Sequence, residues 1–326
     1  MFNSSTPSAM VTGSTGFIGF HLVKSLLASG YHVVGVDNFC RSSMDERAAQ
    51  LHQSDGCSFI ECDLADPAQV AKLPDQFDYI FHLAAMNGTQ NFYEIPYSVV
   101  RNCTLPTLNL IEKYRRCSDL KCFFYAGTSE TYASTVSQFG WEVPTDESVP
   151  LSINDITNVR WSYAIGKLSG ESACIAAAAQ YGFPFVIGRF HNIYGPRNGD
   201  KHFIPDFVSR CLDGRYELFG HRDTRSFLFI DDAIAAIRLI TTDTAAIGEV
   251  INVGSANEVS IHSVATSIME ELDIHETLVL HPSPAGSVSR RCPDISKLES
   301  VVNFQPKVSL NDGLRKTIDD IKKYGV

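Results

Sequence analysis

The chain has 326 residues, 44% of them hydrophobic and 20% charged, so it can bury a large α/β core with a second, smaller lobe and is excluded from the disordered and fibrous classes. Its formal net charge of −10 argues against nucleic acid or an anionic membrane as a partner, and any anionic ligand must be met by local arginines. No apolar run approaches the ~20 residues of a membrane span, and nine cysteines, odd in number and without C-x-x-C pairs, indicate reduced thiols in a cytoplasmic protein with no disulfide or metal framework.

Residues 1–8 are polar, without a basic residue or an apolar core, so no secretory leader is expected. Ala9, Met10 and Val11 then form a short apolar run, followed by glycines at 13, 16 and 19 and an amphipathic segment from Phe17 to Ala28. This predicts a strand, a tight turn and a helix. Gly13 permits the turn, Gly16 lets backbone approach a pyrophosphate, and Gly19 lets the helix pack close to the sheet. The helix N-terminus offers free N–H groups to the diphosphate. The G-x-x-G-x-x-G spacing is one residue wider at the front than the common dinucleotide fingerprint, and alone it could describe three loop glycines. A second apolar run, His32–Val36, ends in Asp37, where a carboxylate can bind the ribose hydroxyls of an adenosine and repel a 2′-phosphate. NAD is therefore expected over NADP.

Further strands are predicted at Ser58–Glu61, Tyr79–Leu83, Lys121–Tyr125 and Pro184–Arg189, with helices between them at Ser98–Tyr114 and Ser162–Gln180. That alternation predicts an α/β, Rossmann-type doubly wound parallel sheet. Asp63, just after the third strand, can reach an adenine or serve as an ordinary loop acid, and His82 reads as a packed histidine. Past residue 190 the rhythm becomes irregular, which suits a smaller, interwoven C-terminal substrate lobe. The expected division is an NAD-binding domain over 1–188, with returning segments at about 225–255, and a mainly substrate-binding lobe over 189–326. The stretches Phe227–Leu239 and Glu249–Val253 read as core elements, and Asn311–Tyr324 as a closing helix.

Of twelve tyrosines only Tyr163 has a lysine four residues later, Lys167, so both side chains project from one helix face. A nearby ammonium is expected to lower the phenol pKa and make Tyr163 a general base toward an alcohol. The fifth strand runs into Gly127-Thr128-Ser129-Glu130, read as a hydroxyl-rich turn at the carboxyl edge of the sheet, where Thr128 can hydrogen-bond the reacting oxygen.

Taken together, TGSTGFIG (12–19), VDNF (36–39), HLAA (82–85), GTSETY (127–132), YAIGK (163–167), RFHNIYGPR (189–197), TRSFLFIDD (224–232) and RRCPDISKL (290–298) resemble the extended short-chain dehydrogenase/reductase family. Within it, the resemblance is to the nucleotide-sugar epimerases, dehydratases and decarboxylases. The resemblance implies cofactor-binding positions at Gly13, Thr15, Gly16, Phe17, Ile18, Gly19, Asp37, Asn38, Asp63, Leu64, Leu83, Ala84 and Ala85, shared with Tyr163 and Lys167. It implies a catalytic set of Thr128, Glu130, Tyr163 and Lys167, and contacts from Asn192, Arg225 and Arg291 to the diphosphate end of a nucleotide-sugar substrate. The implied reaction begins with NAD taking a hydride from sugar C4, giving a 4-keto sugar. Epimerisation is the expected outcome, because it needs the fewest special residues. A UDP-glucuronate-type decarboxylation, to which Glu130 and Arg291 point, net 4-dehydrogenation, and a non-catalytic NAD-binding regulator are the alternatives.

Ser129 stands where dehydratases usually carry an aspartate, so simple dehydration is disfavoured. The runs at 188–196 and 224–227 are also similar to GDP-mannose 3,5-epimerase, but Glu130 occupies the position of that enzyme's active-site cysteine. Ala133 replaces a usual glycine, and Asn87–Pro96 departs from the segment that shapes the sugar pocket in common 4-epimerases. The resemblance also implies a homodimer built on Ser98–Tyr114 and Ser162–Gln180.

Overall fold

The computed structural model describes residues 6–199, 201–283 and 288–325, so the first five residues of the polar start lie outside it. Six strands come first: β1 (Ser8–Thr12), β2 (His32–Asp37), β3 (Cys57–Glu61), β4 (Tyr79–His82), β5 (Cys122–Thr128) and β6 (Phe185–Phe190). Eight short ones follow: β7 (Ile193–Tyr194), β8 (Glu217–Phe219), β9 (Thr224–Ser226), β10 (Leu228–Phe229), β11 (Val250–Val253), β12 (Glu258–Ser260), β13 (Val279–His281) and β14 (Arg290–Arg291).

A seven-stranded sheet runs in the order β11-β6-β5-β4-β1-β2-β3. β1 pairs in parallel with β2 and β4, as does β2 with β3 and β4 with β5. The reversal of strand order on either side of β1 puts the glycine turn, which follows β1, at the topological switch point where such sheets bind ligands. Every residue of β1 and β5 is buried, which is why these strands read as continuous apolar runs rather than as alternation.

The chain divides into two compact units. The first comprises 1–131, 153–189 and 237–251. Its core gathers Met10, Val34, Ile80, Phe123 and Ile187 from the sheet with Leu110, Tyr114 and Cys174 from the covering helices. Two of those helices, Pro96–Tyr114 and Ser162–Tyr181, lie against each other at Gly166, where a Cβ would fall 2.6 Å from Cys103 Cβ. At Gly170 a Cβ would fall 2.1 Å from the Tyr125 hydroxyl, so this helix reaches the sheet only because the position has no side chain.

The second unit comprises 132–152, 190–236 and 252–326 and holds small sheets, β12-β9-β14, β10-β7 and β13-β8. Residues 132–152 fall here although sequence rhythm places them inside 1–188. The reason is a buried polar hub at Asn252. Its amide Nδ2 donates to the Thr145 and Asp294 carbonyls, both at 3.0 Å, and its Oδ1 accepts from the Tyr132 hydroxyl at 2.9 Å. Thr145 also donates its N–H to the Cys292 carbonyl at 2.9 Å, tying the excursion to the chain beyond residue 290.

The helix Glu130–Phe139 is the main departure from the expected elements: β5 continues to Thr128, and the hydroxyl-rich stretch after it is helical. Thr128 Oγ1 accepts the Glu130 N–H at 3.2 Å at the start of this helix, with Glu130 as an acid in its first turn. Thr131, Ser134 and Thr135 are poor helix formers, but all three are buried, and tertiary packing overrides their propensity. Among the described residues no helix is long and apolar enough to cross a membrane.

Candidate active site

The glycine turn is closed by backbone alone. Gly13 donates its N–H to the Val36 carbonyl at 2.8 Å and Gly16 to the Gly13 carbonyl at 3.2 Å. Gly13 has φ +69°, and a Cβ on it would lie 3.1 Å from the backbone of Ala84. A Cβ on Gly19 would lie 2.0 Å from the Gly13 carbonyl oxygen. The helix Phe17–Ala28 begins at Gly16 with no side-chain cap and no acid in its first turn, so its N–H groups and dipole are available to an anion. Phe17 and Ile18, half-buried, open that helix.

Asp37 sits at the end of β2, 8% exposed, and is held by three donors. Thr15 gives its N–H and hydroxyl to Oδ2 at 3.2 and 2.8 Å, and Phe39 gives its N–H to Oδ1 at 3.0 Å. Thr15 thus spends its hydroxyl on orienting Asp37 and on Ser42, 2.7 Å away. A cavity opens beside this carboxylate, lined by Asn38, Asp63, Leu64, Ala84 and Ala85 among others. Asp63 is anchored by the Ala65 N–H at 3.0 Å, with the Asn38 amide 3.5 Å away. Leu83 and Ala84 hold their backbone in place by donating N–H groups to Thr12 Oγ1, each at 3.1 Å. A turn filled by no side chain, an open helix terminus and an oriented carboxylate beside a cavity suit an adenine dinucleotide. Asp37→Ala is expected to weaken NAD binding by about tenfold, the worth of a charge-assisted hydrogen bond, and to narrow the preference over NADP. Fluorescence titration with both reduced cofactors reads the two constants.

His82 is a structural residue, as read from sequence. It is 1% exposed between the hydroxyls of Thr12 at 2.9 Å and Thr107 at 3.0 Å, and burial pushes its imidazole down to about 3, so it stays neutral.

Thr128, Glu130, Tyr163 and Lys167 all belong to the first unit. Tyr163 is 7% exposed, stacks on Phe92 with ring centroids 5.3 Å apart, and packs with Cys103 and Val99. The Thr128 hydroxyl stabilises the phenolate form, but burial, Cys103 and Glu130 act the other way and win, raising the phenol above its ordinary range. This corrects the expectation that Lys167 lowers it. The Lys167 ammonium, itself buried and lowered by desolvation, donates to the Ala126 carbonyl at 2.8 Å and lies 6.0 Å from the Tyr163 ring centroid. Helical i, i+4 spacing brings the two residues onto one face, but the ammonium is engaged by β5 rather than by the phenol.

Glu130 is anchored by Arg160, whose Nη2 lies 2.9 Å from Oε2. Sequence reasoning missed Arg160, although an arginine one turn before Tyr163 is the signal that could have found it. It also missed Phe92 and Cys103, which no local pattern distinguishes from ordinary core residues. A second buried pair, Arg189 with Glu171 at 2.7 Å, lies under Gly127, where a Cβ would meet Glu171 Oε1 at 2.9 Å.

Asn192, Arg225 and Arg291 belong to the second unit. Asn192 donates its amide to the Ser226 carbonyl at 2.9 Å, next to Arg225 on β9. β9 and β14 pair in parallel with Arg225 opposite Arg291, so two arginines 66 positions apart become ladder neighbours on one sheet face. The Arg225 guanidinium donates to the Thr224 carbonyl at 2.7 Å and the Ser289 carbonyl at 3.2 Å, and arginines as a type suit a diphosphate, which accepts bidentate hydrogen bonds.

A family model described as the NAD-dependent epimerase/dehydratase family matches residues 9–254. UDP-N-acetyl-alpha-D-glucosaminuronate decarboxylase from Bacillus cytotoxicus is 31% identical over 322 residues, covering 95% of this chain and 96% of that protein. GDP-mannose 3,5-epimerase 1 from Oryza sativa subsp. indica is 30% identical over 328 residues, 96% of this chain and 81% of the relative. Among solved structures, UDP-glucuronic acid 4-epimerase from Bacillus cereus, in complex with UDP-glucuronic acid and NAD, superposes with a TM-score of 0.86 at 28% identity, covering 97% of this chain and 99% of the other.

Proposed function

The chain belongs to the NAD-dependent epimerase/dehydratase family, and on that basis we propose that it oxidises C4 of a nucleotide sugar and epimerises the 4-keto unit. The observation that carries this reading is the cluster of Thr128, Tyr163 and Lys167 within one unit that also holds the cofactor turn. NAD, held by the glycine turn and Asp37, would supply reversible hydride-acceptor chemistry for C4. Tyr163 Oη takes the C4 hydroxyl proton, and Thr128 Oγ1 hydrogen-bonds the same oxygen as it becomes a carbonyl. Lys167 adds a fixed positive charge one helical turn on and holds the cofactor. Once the ketone has turned its other face, Tyr163 gives the proton back at the inverted centre. Asn192, Arg225 and Arg291 are assigned to the substrate diphosphate.

Decarboxylation is the second reading, favoured by one observation: Glu130 is fixed by Arg160 and bears electrostatically on Tyr163. A 4-ketone lets a C5 carboxylate leave as CO₂, and a fixed acid is then useful to manage the proton at C5, whereas simple 4-epimerisation does not need one. The B. cytotoxicus relative is a decarboxylase by name, in keeping with this alternative.

We further propose a cytoplasmic homodimer. All nine cysteines are free thiols, and the helices Pro96–Tyr114 and Ser162–Tyr181 leave Tyr97, Leu108 and Ile175 exposed for a second copy.

Incubation with NAD and a panel of UDP-, GDP-, dTDP- and CDP-sugars in heavy water, followed by mass spectrometry, separates the outcomes. A new isomer of unchanged mass, still formed by Glu130→Gln, is the expected result. Loss of CO₂ that Glu130→Gln abolishes replaces epimerisation by decarboxylation. Loss of two hydrogens indicates net oxidation, and unaltered substrates throughout sink the enzymatic reading.

A further inference from the structure

The stretch 87–96 folds as a turn at Gly88, with φ +115°, followed by the short helix Thr89–Glu94. Asn91 Nδ2 donates to the Asn87 carbonyl at 2.8 Å and closes the turn. The Ile95 N–H donates to the Asn91 carbonyl at 3.0 Å, and the next helix, Pro96–Tyr114, follows at once. Phe92 is the buried residue of the short helix, 4% exposed, whereas Tyr93 beside it is 55% exposed. The helix thus directs a single apolar side chain inward.

That side chain packs with Val99, Cys103 and Tyr163 in a small cluster distinct from the sheet core, edged by Ala85 and Met86. All of these residues belong to the first unit. The Phe92 ring lies 5.3 Å from the Tyr163 ring, centroid to centroid, and 12° from parallel, so it covers one face of the phenol in an offset stack. The groups that bear on the phenol electrically come from other elements. Cys103 belongs to Pro96–Tyr114, Thr128 to the end of β5, Glu130 to the helix after it and Arg41 to the loop after β2, while Lys167, 6.0 Å from the ring centroid, shares the tyrosine's own helix. The one acid of Thr89–Glu94, Glu94, is exposed and accepts from the Gln90 amide at 2.6 Å. What Phe92 brings to the phenol is therefore orientation and the exclusion of water.

We propose that Phe92 is a positioning residue for the reaction: its ring fixes the plane in which Tyr163 presents its hydroxyl and keeps water off that face. This rests on the general-base reading of Tyr163 above and holds for epimerisation and decarboxylation alike. A base that must meet one hydroxyl proton, and return it, gains from a ring that cannot tilt. Burial is also the largest influence holding the proton on this phenol, and Phe92 supplies part of that burial.

The test is single-turnover formation of NADH across pH, beside a thermal melt and an NAD titration. It uses the full-length protein saturated with NAD and a sugar from the panel that the wild type oxidises. Phe92→Leu and Phe92→Met keep an apolar side chain but remove the ring. Both are expected to lower the limiting high-pH rate at saturating sugar by roughly tenfold to a hundredfold, the worth of a misplaced reacting group. In both, the apparent pKa of oxidation falls by about one unit as water reaches the phenol, with NAD affinity unchanged. Phe92→Tyr, which keeps the ring, restores the rate and the profile. An unchanged profile in folded Phe92→Leu and Phe92→Met overturns the proposal, as does a rate loss that saturating sugar restores, which assigns Phe92 to the sugar pocket. Loss of the fold in both assigns it to stability and overturns the proposal equally. A wild-type pH slope that Tyr163→Phe retains, or no NADH from any sugar, removes the general-base reading together with it.

Discussion

Tyr163→Phe lowers the rate of sugar oxidation by roughly 10²- to 10⁴-fold, the usual worth of a positioned general base, and leaves the fold intact. The ring keeps its stack on Phe92 and its packing beside Cys103, so little contact is lost. Thr128 Oγ1, which loses the phenol as a partner, still accepts the Glu130 N–H at 3.2 Å, which limits the cost. Single-turnover formation of NADH, followed by absorbance beside a thermal melt, separates chemistry from folding. The pH profile adds a second reading. Burial raises the Tyr163 phenol, so its proton is held at neutral pH and the base form is the minor one. The wild-type oxidation rate should therefore climb about tenfold per pH unit below the apparent pKa, and that slope should vanish in the variant. A phenylalanine variant with wild-type rate and slope would remove Tyr163 from the chemistry.

The second large effect is at Gly19. A Cβ there lies 2.0 Å from the Gly13 carbonyl oxygen, 2.8 Å from Gly13 C and 2.9 Å from Ser14 Cα. All three atoms are backbone, so no rotamer change relieves the clash and the helix must move off the turn. Gly19→Ala is expected to cost about 1–3 kcal/mol of stability, as overpacking does, and to weaken NAD binding by about a hundredfold or more as the amide cradle is lost. Gly30→Ala is the control for an added methyl without a clash: its φ is positive, +78°, unlike that of helical Gly19, but nothing lies within 4 Å of the added atom. It should lower stability modestly and leave the cofactor untouched. Equal cofactor loss in both variants, or none in Gly19→Ala, would show that close helix approach does not build the site.

The same contrast separates what was legible in the chain from what was not. Phe17–Ala28 is helical over the residues its periodicity marks, and the expected strand near 79–83 is found at Tyr79–His82, because a buried strand or an amphipathic helix writes its own apolar pattern. The glycine turn could be read for a similar reason: backbone conformation and close approach restrict residue type position by position. Tyr163 and Lys167 could be paired because four residues is one helical turn.

What the tertiary structure decided lies at long separation. Glu130 meets Arg160 across thirty positions, and Arg225 meets Arg291 only through the pairing of two very short strands. The excursion 132–152 joins the second unit through Asn252, whose partners are scattered from Tyr132 to Asp294. The hydroxyl-rich helix Glu130–Phe139 forms against its own propensity because its polar side chains are buried. The proton affinity of Tyr163 belongs with these: spacing placed an ammonium one turn away, but burial and the neighbours brought in from other elements set the balance. Local sequence determines backbone conformation and periodic burial. Which charges meet, and how much water surrounds them, depends on segments far apart in the chain and is fixed only when each unit folds.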